Sequence, residues 1–125
     1  MKYSKILGTG AFLPEKIITN FDLEKMVETS NDWIIERTGI KQRHMAAENE
    51  NALTMAEGAA RTALDAAKLT PKDIDMIIVT KTTPHLMFPS TACVLQDRLG
   101  INGCPAFDLN ATACAGFMYA FSIAD

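Results

Sequence analysis

Residues 53–80 read LTMAEGAARTALDAAKLTPKDIDMIIVT, and this stretch decides the fold class. Leu53, Ala56, Ala60, Ala63, Leu64 and Ala67 recur at the 3.6-residue period, which predicts a helix over residues 53–68 with one apolar face. Thr54 with Glu57 three residues on is a capping-box pattern for its start. That face is mostly alanine, so whatever packs on it must come close, as a sheet or another small-residue helix would. Thr70, Pro71 and Asp73 then supply a one-turn start signal, and residues 76–80 follow as an unbroken apolar strand. A strand without polar alternation is one buried on both faces, as in a parallel sheet covered by helices.

Downstream, Pro89 is read as opening a helix that runs to Leu99 and stops at Gly100, and residues 106–109 as a short strand. A last helix is expected from about Cys114 onward. Upstream, residues 3–13 read as an extended stretch broken by Gly8 and Gly10. Asn20 is read as the cap of a short helix over residues 21–28, and Ser30 as the cap of a second over 31–37, with Asp32 near its positive end and Gly39 past its finish. Strands alternating with helices of these lengths predict the α/β class with a mostly parallel sheet. No repeat, low-complexity tract or linker divides residues 1–125, which read as one continuous unit.

The chain holds 48% hydrophobic residues, enough for a core, and a formal charge of −3 argues against a surface made to neutralise nucleic-acid phosphates. Its three cysteines, Cys93, Cys104 and Cys114, form no CxxC pair and have no histidine at metal-ligand spacing, which argues against a disulfide framework or a metal site. The longest aliphatic run, residues 76–79, is too short to cross a bilayer. A cytoplasmic protein without a membrane span is the expectation.

The chemistry is expected in Asp108-Leu109-Asn110-Ala111-Thr112-Ala113-Cys114-Ala115-Gly116-Phe117. A strand enters a turn of small residues and then a helix whose first turn carries a cysteine, an arrangement that exposes a nucleophile beside a helix amino terminus. Ala113, Ala115 and Gly116 leave an incoming thioester a clear approach. The unpaired N–H groups of such a terminus can stabilise a thiolate and a developing oxyanion, although a terminus contributes typically only about 0.3–1 kcal/mol. A more stable thiolate would need a nearby histidine. Nothing in the spacing of His44 or His85 ties either to Cys114, and both read as ordinary histidines. Cys93 and Cys104 read as packing residues.

A second constellation is residues 29–40, TSNDWIIERTGI. Trp33 and Arg37, four apart on a helix, share a face, so an indole and a guanidinium could flank a flat ring such as adenine. Arg37, Lys41 and Arg43 make a local cationic cluster suited to phosphates or an acidic carrier protein. The alternative is Trp33 in the core and the cations as a solvated surface.

These two constellations, with Gly8-Thr9-Gly10 before Leu13-Pro14 and Phe88-Pro89-Ser90 before Cys93, closely resemble beta-ketoacyl-acyl-carrier-protein synthase III over essentially the whole chain. The resemblance implies the amino-terminal α/β half of a thiolase-like fold, ending within the nucleophile helix. It implies that Cys114 takes the acyl group from a starter acyl-CoA, acetyl-CoA first among them, and that malonyl-acyl carrier protein supplies the attacking carbanion. It further implies that Trp33 and Arg37 hold the CoA adenine with help from Thr29, that Phe88 reaches the partner's acyl pocket in a homodimer, and that no cofactor is bound permanently. The histidine and asparagine that support decarboxylation belong to the family's second half, so residues 1–125 alone are expected to support partial acyl transfer at most. The alternatives are a related thiolase-fold synthase of specialised metabolism and a CoA-binding half-module that pairs with another chain. The family usually has one residue fewer between the strand aspartate and the cysteine than separates Asp108 from Cys114, and the extra residue is expected to form a bulge within residues 110–113.

Overall fold

The computed structural model describes residues 4–83, 86–110 and 113–125. Where the sequence reads as continuous, the fold divides into two compact units: Leu13–Asn51 forms one, inserted between the parts of the other, which runs up to Phe12 and resumes at Ala52–Asp125.

In the smaller unit, β1 (Lys16–Thr19), which the sequence reading missed, pairs antiparallel with β2 (Gln42–Met45), from Lys16 opposite Met45 to Thr19 opposite Gln42. Helix α1 (Asn20–Glu24) is capped by Thr19 rather than Asn20: the Thr19 hydroxyl accepts from the Asp22 N–H at 3.2 Å, and the Asp22 carboxylate accepts from the Thr19 N–H at 3.0 Å. The helix ends four residues before the expected Glu28, because the Leu23 carbonyl takes both the Met26 and Val27 N–H groups and tightens the last turn. Asn20 is instead the buried hub of this unit. Its amide donates to the Ile40 carbonyl at 2.8 Å and to Asn31 Oδ1 at 3.1 Å, and its oxygen accepts from Arg43 Nη2 at 2.7 Å. Helix α2 (Asn31–Thr38) matches the expectation, with the Ser30 hydroxyl accepting from Trp33 N–H at 3.2 Å and Gly39 closing it at φ 69°.

In the larger unit, α3 (Ala52–Ala67) begins ahead of Thr54, so Thr54 lies inside the helix and is not its cap; the Glu57 carboxylate pairs with Arg61 Nη2 at 2.9 Å and Arg98 Nη1 at 3.3 Å. Residues 4–12 form no strand, and Gly8, Gly10 and Phe12 run against Gly58, Ala59, Ala63 and Ala67 of α3, sharing only Ala63 and Ala67 with the face expected from the sequence. A Cβ on Gly8 would stand 2.5 Å from the Ala63 carbonyl oxygen, a Cβ on Gly10 would meet backbone atoms of Ala59 and Ala63, and the Phe12 ring rests against Gly58. Close approach is thus met by backbone on backbone. Gly10→Ala is expected to lose about 1–3 kcal/mol, read as a lower urea midpoint with an unchanged slope.

The expected one-turn element is present at Pro71–Asp73, where Asp73 accepts from the Thr70 N–H at 2.8 Å. β3 (Ile77–Lys81) then connects through α4 (Thr91–Leu99) to β4 (Ala106–Asn110), and the strands pair in parallel from Ile77 opposite Ala106 to Lys81 opposite Asn110. Helix α4 is opened by Ser90 and not by Pro89, since the Ser90 hydroxyl accepts from Cys93 N–H at 3.2 Å; Gly100 closes it at φ 68° as expected. Ile77, Ala92, Leu95, Leu99 and Ile101 form the core, with Leu53, Ala56 and Ala60 of α3 packed against it. Last comes α5 (Gly116–Ala124).

Candidate active site

Pairing of β4 with β3 stays in register through Asn110, so no bulge interrupts the strand itself. The remainder of the expected bulge falls on Ala111 and Thr112, outside the described residues. Ala113 stands at φ 45°, a left-handed backbone that disfavours a side chain, and Ala113–Ala115 form a single 3-10 turn ahead of α5. Cys114 is the middle residue of this turn and is exposed. It therefore precedes α5 by two residues and does not lie within its first turn, because the chain tightens before entering the helix at the buried Gly116. The residue at the helix entry is Ala115, which has no side-chain oxygen to accept from the first-turn N–H groups. Helix α5 stacks Phe117 on Phe121, centroids 6.0 Å apart, at a groove of about 310 Å³ that Met76 and, from β3, Ile78 also line.

Between β3, β4 and the start of α4 lies a group the sequence reading did not assign. Asp108 of β4 accepts from the Thr91 and Ala92 N–H groups of α4, both at 2.8 Å, and pairs with Lys81 Nζ of β3 at 2.7 Å. The Lys81 ammonium also meets the Thr91 hydroxyl. The Lys81 and Asp108 side chains are only 8% and 5% exposed. Burial by itself would push the Asp108 carboxyl up, but the hydrogen bond from Lys81, followed by those from the Ala92 and Thr91 amides, holds it below the usual carboxylate range. The available signal was a carboxylate inside the short apolar strand over residues 106–109 and a lysine just past the strand read over 76–80.

In the smaller unit, Glu28, Thr29, Ser30 and Trp33 line a polar depression of about 280 Å³. The sequence expectation of an open slot between Trp33 and Arg37 needs correction. The Arg37 guanidinium carbon lies 5.2 Å from the centre of the Trp33 ring, whereas a plane inserted between them would need two stacking gaps of about 3.5 Å each. Arg37 covers that face itself. Trp33 is not in the core, being 54% exposed. Arg43 leaves the expected cationic cluster for a structural post, donating to the Ile18 carbonyl and to Asn20. His44 shares a hydrogen bond with the Pro14 carbonyl, and His85 lies outside the described residues. Phe88 is 89% exposed and takes no part in the core. Cys93, expected to be packed, is exposed on α4 with its sulfur 3.4 Å from the Ala106 carbonyl; Cys104 is half-buried and accepts from the Gln96 amide at 3.2 Å. Among the described residues, no helix is long and apolar enough to cross a membrane.

No family model matches the chain. It is 57% identical over 126 residues to a beta-ketoacyl-[acyl-carrier-protein] synthase III of Thiobacillus denitrificans, aligning all of this chain with 39% of that one. It is 60% identical over 123 residues to such a synthase of Vibrio cholerae, 98% of this chain against 39% of the relative. The crystal structure of 3-oxoacyl-[acyl-carrier-protein] synthase III from Aquifex aeolicus superposes at a TM-score of 0.90 with 53% identity, over 97% of this chain and 39% of that one. Over essentially its whole length the chain is similar to a part of beta-ketoacyl-acyl-carrier-protein synthase III relatives. It spans about 39% of the length of the relatives it matches. A priming beta-ketosynthase of a polyketide pathway also superposes at 0.90, with 34% identity over 96% of this chain and 36% of its own. The synthase III fold is thus the thiolase-like α/β arrangement expected from the sequence, with β3 and β4 in parallel.

Proposed function

We propose that the protein carrying this sequence starts type II fatty-acid synthesis by joining a starter acyl-CoA, acetyl-CoA first, to malonyl-acyl carrier protein through an acyl group on Cys114. The observation that supports this most is an exposed thiol in a tight turn directly after a parallel strand, ahead of a helix whose entry residue offers its amides no acceptor. In this reading the Cys114 thiolate attacks the thioester carbonyl, nearby N–H groups stabilise the oxyanion, and CoA thiolate leaves. Malonyl-acyl carrier protein then loses carbon dioxide, its carbanion attacks the acyl-cysteine carbonyl, and Cys114 leaves as thiolate. The order is ping-pong. The histidine and asparagine that the family uses for decarboxylation are not assigned to any residue here.

Trp33 and Thr29 serve the CoA end, with the adenine stacking on Trp33 and Arg37 either swinging aside or backing the ring from its far face. Phe88, projecting from its loop, serves the partner's acyl pocket in a homodimer, and acyl carrier protein is the second-substrate partner. Identities of 57% and 60% to the Thiobacillus and Vibrio synthases III, against 34% to the polyketide priming enzyme, favour fatty-acid initiation over specialised metabolism.

Exposure to acetyl-CoA followed by peptide mapping is expected to place one acetyl group on Cys114. Cys93 is equally a free, exposed thiol and acts as the internal control. Labelling of both to the same extent, or of neither, rejects the assignment. Trp33→Ala is expected to raise the KM for acetyl-CoA roughly tenfold with kcat unchanged, since stacking a base on an aromatic ring contributes about 1–3 kcal/mol. A change confined to kcat would place Trp33 elsewhere in the reaction.

A further inference from the structure

We propose that the buried Lys81–Asp108 pair, completed by the Thr91 hydroxyl, is the positioning device that aims Cys114. The proposal rests on the assignment of Cys114 as nucleophile and adds the residues that set its geometry. Three chain ends converge on one carboxylate. Asp108 lies two residues before the end of β4, Lys81 is the last residue of β3 and stands opposite Asn110, and the Thr91 and Ala92 amides are the start of α4.

The amino terminus of α4 is thereby fully occupied. Thr91 and Ala92 donate to Asp108, Cys93 donates to the Ser90 hydroxyl at 3.2 Å, and Val94 donates to the Ser90 carbonyl at 3.2 Å. No amide is left there to receive an anionic substrate, so the carboxylate acts on the fold and not on a ligand. Its position fixes where β4 ends relative to β3 and α4. Asn110, held opposite Lys81, is the last paired residue before the turn that bears Cys114. Cys114 follows Asn110 by only four residues, so a sideways shift of this strand end is passed over a short length of chain to the left-handed Ala113 and the cysteine beside it. A paired ammonium and carboxylate with short hydrogen bonds resist that shift better than apolar side chains of the same size, which have no preferred direction.

Attack on a thioester needs the sulfur, the carbonyl and the oxyanion donors in register, whereas alkylation by iodoacetamide needs only an accessible thiolate. The two rates at Cys114 therefore separate aim from exposure. In the full chain, the double variant Lys81→Met with Asp108→Asn removes both charges while keeping volume, so no lone buried charge remains. Once circular dichroism shows it folded, its single-turnover acetylation at saturating acetyl-CoA is expected to fall about tenfold or more, with iodoacetamide alkylation within about twofold of the unsubstituted protein. Equal acetylation rates in the folded variant overturn the proposal and leave the pair as packing only. A parallel fall in both rates overturns it too, since that reports loss of exposure. If the double variant does not fold, Thr91→Val takes away one hydroxyl and no charge; a fall of about threefold in acetylation alone is expected, and an unchanged rate overturns the proposal. Absence of acetyl transfer in the unsubstituted protein rejects the Cys114 assignment itself, an outcome distinct from these.

Discussion

Asp108→Ala is expected to destabilise the larger unit by about 3–5 kcal/mol, the usual loss when one partner of a buried pair is removed. Three groups lose their acceptor at once. Lys81, only 8% exposed in its side chain, keeps the Thr91 hydroxyl alone, and the Thr91 and Ala92 N–H groups face an apolar methyl. Whole domains are stable by only about 5–15 kcal/mol, so this one change takes a large share. Urea unfolding reads it directly, and a loss below about 1 kcal/mol would mean that water reaches the site and solvates Lys81.

The acid limb tests the same pair through linkage. The Asp108 carboxyl titrates below its ordinary 3.8 in the folded protein, so in the window beneath 3.8 the unfolded chain binds a proton that the folded chain does not. Stability from this group is complete above the ordinary value and is lost as pH falls through the lower, folded one. Asp22, Glu57 and Asp73 are also lowered, by the hydrogen bonds of Thr19, Arg61 and Thr70 respectively, and contribute acid sensitivity of the same sign. The comparison that isolates Asp108 is therefore the difference between the unsubstituted protein and Asp108→Asn. That difference is expected to shrink as pH drops below the carboxylate range, and a constant difference would reject a depressed Asp108.

Local, strong signals were the ones legible in the sequence. The alanine period of residues 53–68 gave α3 to within a residue at each end, and Ser30 with Gly39 gave α2, because each of those features acts through hydrogen bonds or packing within a few residues. The apolar run and residues 106–109 gave both strands of the parallel pair, displaced by one residue at most. The turn that carries Cys114 was legible for a similar reason, since small residues between a strand and a helix mark a turn.

What the sequence hid depends on partners far along the chain. Asp108 draws its contacts from residues 81, 91 and 92, and no periodicity announces that a strand charge will be capped by another helix's amides. Pro89 and Ser90 both fit a helix start, and only the hydroxyl bond to Cys93 decides for Ser90. Asn20 was taken for a cap because asparagine is a good one, yet Thr19 beside it is equally suited, and Asp22 stands three residues after Thr19 to close the box. Trp33 and Arg37 share the expected face, but spacing along a helix says nothing of whether two side chains part for a ligand or close on each other.

Asn20→Ala is expected to destabilise the smaller unit by about 3 kcal/mol. Among the described residues of Leu13–Asn51 the buried apolar side chains are Pro14, Ile18 and Ile34, so apolar burial there is slight and the polar hub supplies much of what holds the strands to the helices. Alanine would leave the Ile40 carbonyl without its donor, Asn31 Oδ1 without its partner, and the Arg43 guanidinium with the Ile18 carbonyl alone. Because Asn20 and Arg43 share one charge-assisted bond of 2.7 Å, their losses should not add. Arg43→Ala is expected to lose about 2 kcal/mol in the unsubstituted protein and clearly less when Asn20 is already alanine. A double-mutant cycle closing at zero would show that the two side chains stabilise the unit independently and would reject the shared bond as a source of stability.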